Sequence, residues 1–571
     1  MSLISPVFDQ ENFKWTEAHG RHLLNRAGFG VPNSRAQELA KLKPADAVAV
    51  MVDYDRIPDN MATPSWLPKE VDFGQMRQMT QGLTEDERRQ LRQMKDKEFR
   101  DAVSKLQVWW IDRMCHSQRP LEEKMTLFWH GHFACSAEKV KEPGANYKLN
   151  QILRTNATGN FRKLVTDVGK SPAMLRYLDN MQNTKEHPNE NWARELMELF
   201  TLGIGHYSED DIKNSARAFT GWSQRNGEFF YNVRRHDEGQ KTFLGQTGNF
   251  DGYKVIEIIM QQPACADFIC RKLWTFFAYE NPEPEIVTAL ADTFRKGNYE
   301  LKPVLRQMFS SRAFYSDKAM FSQVKSPAQL VVNLIVQLDA QIGERPPIAQ
   351  LAMRAMGQSL FYPPNVKGWD GGKAWINTNT LLVRCNFANY LVSGVVPEFS
   401  GPGAGALKAL QRQGQRRGGE MAMMDQEDGE MAMMAGPRRR QMEMMDEGTG
   451  ETSRGPAGQD SGPSDVTGRT FARALGEHRA NNLETRQMAQ APFHARDFFA
   501  QYHGMTAPEM VDELAMYFVG FPLDPKQRSK LINVLAQGTP PGQPVPVMKM
   551  AEEDLRATVQ LLLSTGDYQV C

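Results

Sequence analysis

The sequence predicts a mainly α-helical protein: a large multi-helix domain with at most a minor β-hairpin, interrupted by a disordered insertion rich in methionine and glycine. Three observations predict it. Apolar residues recur at helical spacing through most of the 571-residue chain. Strand-like composition is confined to "GEFFYNV" and the following "KTFLG", enough for one short hairpin. One long segment loses apolar periodicity altogether.

The elements follow in order. "TEAHGRHLLNRAGFG" reads as a short helix stopped by glycine. "TEDERRQLRQMKDKEFRDAVSKLQVWWIDRMCHS" reads as a long amphipathic helix, with Leu91, Met94, Phe99, Val103, Leu106 and Trp110 near helical spacing. "RPLEEKMTLFWHGHFA" places Pro120 near a first turn, where its missing N–H costs nothing. "NFRKLVTDVGKSPAMLRYLDN", "DGYKVIEIIMQQPACADFICRKLWTFFA" and "PEIVTALADTFRKG" continue the pattern.

Residues 14–395 are expected to form the main helical domain and 469–571 a helical extension that packs back on it. Between them, residues 400–468 hold Gly, Pro, Gln, Met and charge without an apolar face, and "GEMAMM" occurs twice, ten residues apart. Such composition cannot bury enough surface to offset ordering entropy, so disorder is the expectation. Nine methionines between Met421 and Met445 are soft ligands suited to Cu(I), or flexible side chains suited to adaptable contacts. The interleaved acids and Arg438 to Arg440 favour an interaction tail.

Composition excludes some classes. Lys plus Arg equals Asp plus Glu at 68 each, so no electrostatic case exists for nucleic acid or an anionic membrane. No stretch reaches the roughly 18 apolar residues of a membrane span. The opening "MSLISPVFDQENFKWTEAHG" does not read as a signal peptide, and six cysteines in this length do not make a disulfide framework. A cytoplasmic, reducing compartment is the expectation, with export as the alternative.

The stretch "NENWARELMELFTLGIGHYSEDD", residues 189–211, concentrates charge beside apolar surface. Much of it explains itself. Asn189 can cap a helix, Glu190 can reach Arg194, and Arg194 can reach Glu198. Gly203 suits a left-handed stop, and Ser208 with Asp211 resembles the cap of a following helix. That leaves Asn191, Glu195 and Glu198 on one stripe.

Several phrases stand in a familiar order: "HLLNRAGFG", "LFWHGHFA", "SPAMLRYLDN", "NENWARELMELFTLGIGHYSEDDIKNSARAFTGW", "HDEGQKTFLG" and "PPNVKGWDGGKAWIN". Over about residues 14–395, and more loosely in the last helices, the chain resembles the bacterial DUF1800 family, a domain of unknown function. The resemblance implies a fold and an order of motifs but no established activity. It also implies export, and a sulfatase-like protein partner of the DUF1501 family. The Met-rich insertion is unlike that family's core pattern.

Candidate chemistry gathers at three places. Glu195 and Glu198, with Arg194 and His206, form the catalytic candidate, because a buried glutamate can be tuned toward neutral pKa. His130, His132, Glu195, Glu198 and His236 are the candidate ligands of a divalent transition metal such as zinc, iron or manganese. On a regular helix His130 and His132 would diverge by about 200°, but Gly131 allows a helix end where they converge. Trp369, Asp370, Trp375 and Asn377, in a glycine-rich loop, suit sugar or peptide binding if exposed; the alternative is a rigid loop whose tryptophans plug the core. No His-Glu-x-x-His, paired Cys-x-x-Cys, phosphate-binding glycine loop or Gly-x-Ser-x-Gly is present. Two function classes follow: a metal-assisted or acid–base hydrolase or oxidase, or a non-catalytic binding protein acting with a partner.

Overall fold

Pro120 opens the helix around which the rest is arranged. In the computed structural model, which describes residues 2–9, 13–30, 33–67, 82–340, 348–395 and 492–571, this helix runs Pro120–His132 and buries eleven of its thirteen residues. The 400–468 insertion and the first part of the C-terminal extension lie outside the described residues.

In chain order the helices are α1 Glu17–Ala27, α2 Asn33–Lys41, α3 Pro44–Val52, α4 Glu85–His116, α5 Pro120–His132, α6 Pro143–Thr155, α7 Phe161–Lys170, α8 Pro172–Tyr177, α9 Asn191–Glu195 and α10 Glu209–Ala218. After the strands come α11 Gly252–Met260, α12 Pro263–Phe277, α13 Pro284–Lys296, α14 Leu301–Ser310, α15 Pro327–Gln337, α16 Ile348–Ala355 and α17 Thr378–Ser393. The last four are α18 Ala495–Ala500, α19 Ala507–Phe518, α20 Pro525–Ala536 and α21 Glu552–Leu563. The protein is mainly α, and no described helix is long and apolar enough to cross a membrane.

Caps account for many boundaries. Thr84 and Glu87 form a capping box at the start of α4. The apolar stripe of that helix is buried from Phe99 onward, while Met94 is exposed, so its first half stands in solvent. Proline opens α3, α5, α6, α8, α12, α13, α15, α19 and α20 at the first or second position.

The hairpin expected between "GEFFYNV" and "KTFLG" does not form; the two segments belong to separate hairpins. β1 (Trp222–Arg225) pairs antiparallel with β2 (Glu228–Tyr231), and β3 (Lys241–Phe243) with β4 (Gln246–Gly248). Asn226 and Gly227 both have positive φ, as do Leu244 and Gly245. Two left-handed residues in a two-residue loop match the twist of flanking strands, so each pair closes on itself.

Two apolar cores result. One is built from α1–α3, α5–α14 and the first hairpins, with Trp129, Phe133, Phe161 and Phe200 stacked at its centre. The other joins the second half of α4 to α15–α17 and to the C-terminal helices. Phe387 and Leu391 lie in it with Phe499, Leu514 and Val559. Helix α5 serves both, through Trp129 on one side and Leu127 on the other.

Candidate functional site

The backbone after Asn189 folds largely as its local chemistry dictates. Asn189 Oδ1 accepts from the Asn191 N–H at 3.0 Å, starting α9. Gly203 takes φ +81° and stops the chain. Ser208 and Asp211 exchange reciprocal cap bonds at the head of α10. Arg194 pairs with Glu190 at 3.1 Å but turns to Glu209 at 2.9 Å, not to Glu198.

Sequence gave no sign of what lies between. α9 is five residues long and passes directly into a π-helical turn, Leu196–Thr201. Glu195 and Glu198 stand at this junction, both half-buried. π turns are rare and are found frequently at functional sites. Glu198 accepts the Tyr207 hydroxyl at 3.1 Å. Glu195 takes part in no hydrogen bond or ion pair among the described residues. Burial first, and the charge of Glu198 second, push its carboxyl up, against the opposing fields of Arg194 and Lys367.

The two histidines of "WHGHF" are buried and serve backbone groups. The His132 ring donates from Nε2 to the Phe200 carbonyl at 3.0 Å, so its Nδ1 carries the lone pair and accepts from Lys272 Nζ at 3.2 Å. Lys272 also donates to the Leu199 carbonyl at 3.2 Å. His130 has the opposite tautomer: Nε2 accepts the Phe361 N–H at 3.1 Å, leaving the proton on Nδ1. Burial holds both rings neutral, His130 at about 3 and His132 well below the ordinary histidine value. Burial also lowers Lys272 to about 8.

These tautomers point the two lone pairs at different protein groups. The lone pairs of His130 and His132 are already occupied, by an N–H and an ammonium group. His236 is buried in another direction, its Nδ1 donating to the Thr220 carbonyl at 3.0 Å, and its neighbour Asp237 is ion-paired with Arg217 at 2.7 Å. Among the described residues no three His, Cys, Asp or Glu side chains converge as a metal ion requires. His130, His132, Glu195, Glu198 and His236 therefore do not fit a shared divalent metal. His206 is exposed in the turn beyond Gly205 and is not gathered with the carboxylates by any hydrogen bond.

The tryptophan loop is also placed by packing. Trp375 is 8% exposed. Trp369 lies against His130, ring centroids 5.7 Å apart, and would meet a Gly131 Cβ at 3.7 Å. Asn377 caps α17 by accepting the Thr380 N–H at 2.9 Å. Asp370 is exposed. The loop thus presents no open aromatic platform. It presents Lys367, exposed, whose charge is felt at Glu195.

Sequence reasoning missed a third arrangement, at the other end of α5. Glu123 is fully buried and receives Arg113 and Arg154, each at 2.8 Å, with Trp110 Nε1 at 3.0 Å. Arg113 reaches on to Asp59 at 2.9 Å. Adjacent carboxylates in "PLEEKM" were the available signal, but both arginines come from other helices.

A mainly α chain with a half-buried carboxylate pair at a π turn is the class that fold and site define. The family model described as "Protein of unknown function (DUF1800)" matches residues 22–570, and the chain belongs to that family. Comparison with curated proteins and with solved structures returned no match.

Proposed function

We propose that this protein is an acid–base enzyme, a hydrolase of a polar substrate, in which Glu195 transfers the proton and Glu198 is the neighbouring charge that tunes it. The observation that carries this reading is the contrast between two glutamates. Glu123 is buried, doubly paired with arginine and held below the usual carboxylate range, which is what a structural carboxylate looks like. Glu195 is half-buried and unpaired, and burial with the charge of Glu198 raises its carboxyl from the ordinary glutamate value. A proton-transferring group needs its carboxyl free to meet substrate and its pKa moved toward the working pH. Tyr207 anchors Glu198, so the two carboxyls are held in unlike surroundings.

The test is a panel of chromogenic esters, glycosides, phosphoesters and amides. One class should be turned over, and Glu195→Gln should lower kcat/KM by about 10²–10⁴-fold while the melting temperature holds or rises. Glu198→Gln should move the pH profile toward lower pH, because the raising charge is gone. Turnover undiminished in Glu195→Gln, or none for any class, overturns the proposal.

One observation favours a second reading, a binding protein working with a partner of the sulfatase-like kind that the family resemblance implies. Ile204, at the tip between Gly203 and Gly205, is 78% exposed. An apolar tip beside the carboxylates suits a contact with another protein. Co-purification lost in Ile204→Ser but kept in Glu195→Gln would support it.

A further inference from the structure

Three consecutive residues join the π turn that carries the proposed acid–base site to a loop far away in sequence. On one side His132 donates to Phe200 O in the π turn, and Lys272, bonded to the same imidazole, takes Leu199 O. These are among the last carbonyls of the turn, which have no partner within it. On the other side His130 accepts the Phe361 N–H. Phe361 sits at φ +64°, a costly backbone for an aromatic residue, and its own carbonyl is held by the Ala137 N–H at 2.8 Å. Between the histidines, Gly131 meets Gly368 so closely that a Cβ on Gly368 would lie 2.1 Å from the Gly131 oxygen. Lys367, one residue earlier, is fixed by its neighbours: its N–H donates to Asn365 Oδ1 at 2.8 Å, and Val366 packs on the first core.

We infer that the tripeptide His130-Gly131-His132 is a positioning clamp for the Glu195 site, holding the carboxylate turn on one side and the loop that carries Lys367 on the other. The histidines take no part in proton transfer. They hold the backbone of the carboxylate turn against the backbone of the loop that carries Lys367. Lys367 is the exposed cation of that loop, and its field opposes the rise of Glu195. This inference rests on the acid–base reading for its importance, but not for its test.

The test is the pH dependence of carbodiimide labelling at Glu195 in the full-length protein, read by peptide mass spectrometry, since only the protonated carboxyl reacts. Lys367→Met should raise the labelling midpoint by roughly half a pH unit, the size expected of one screened charge at a half-exposed site. Lys367→Arg should leave it in place. His130→Phe, which keeps a ring but removes the acceptor, should raise the midpoint as Lys367→Met does. The double variant should shift no further than Lys367→Met alone, because both changes remove the same field. A merely structural histidine would not show this non-additivity. An unchanged midpoint in Lys367→Met, a variant at an exposed position that leaves folding intact, overturns the inference. Additive shifts in the double variant also overturn it. Failure of every hydrolase assay would leave the labelling result standing, so the two proposals fail separately.

Discussion

At the scale of single residues, the decisive quantity is whether a buried charge has a partner. Glu123 has two arginines and an indole N–H. Replacing it by Gln leaves Arg154 buried without its anion and should cost about 3–5 kcal/mol, measured by urea unfolding. Lys124 and Lys325 lack such partners. Lys124 donates to Gln329 and lies over the rings of Phe29 and Phe276, while Lys325 donates to Asn333 at 3.0 Å and lies over Tyr568. Burial lowers both from 10.5 to about 7. Between these values the unfolded chain binds more protons than the folded one, so this contribution to stability grows from pH 7 toward pH 10.5 and is flat below 7. Methionine at either position removes that dependence. The stability of Lys124→Met or Lys325→Met relative to wild type should therefore fall by on the order of a few kcal/mol between pH 7 and 9.5, at about 1.4 kcal/mol per pKa unit. Denaturant midpoints at the two pH values decide it; a constant difference would mean that these lysines find charge partners.

At the scale of elements, local signals and long-range contacts divide the work. The Ser208 cap is local, and Ser208→Ala should lower stability by about 1 kcal/mol, a change in melting temperature that calorimetry resolves. Asp211 does more, because it also accepts the Leu244 N–H at 2.7 Å and so ties the second hairpin to α10. The 357–377 loop is held by long-range contacts. Gly368 has φ +87° and no room for a side chain. Gly368→Ala should cost about 1–3 kcal/mol, and limited proteolysis should cut this loop before α5. The turns at Asn226-Gly227 and Leu244-Gly245 show how legible a local signal can be. Asn-Gly is the strongest short hairpin signal. Leu244 in the left-handed region is not readable from sequence, so the pairing of "KTFLG" with the strand just after it, rather than with "GEFFYNV", is not readable either.

At the scale of the whole molecule, α5 divides two cores and the C-terminal helices complete the second. Gln560 Nε2 donates to Asn389 Oδ1 at 2.6 Å, and the single Tyr568 hydroxyl proton is shared between Asn333 Oδ1 and Gln337 Oε1 at 3.0 and 2.8 Å. The backbones of Val324 and Val570 form a bridge. Residues 2–395 and 492–571, expressed as separate polypeptides, should therefore co-purify in equal amounts, as a shared apolar core and buried amide network require. An independently soluble 2–395 fragment that does not bind the other would show that the second core closes without its last helices.

The helical class, the Gly203 stop, the Ser208–Asp211 cap and the Glu190–Arg194 pair were legible in the sequence, because each depends on residues within about one turn of one another. It also picked out Glu195 as a residue that no local partner explains. Tertiary structure decided what the charged and aromatic groups do. His130 meets a residue 231 positions away and His132 one 68 away, and no helical period encodes those partners. The same holds for Glu123 with Arg154, for Lys272 with His132, and for Gly131 against Gly368. A buried imidazole gains from a partner at each nitrogen; His132 has both and His130, whose Nδ1 has none among the described residues, only one, and which groups supply them depends on which segments the two cores bring against the ring.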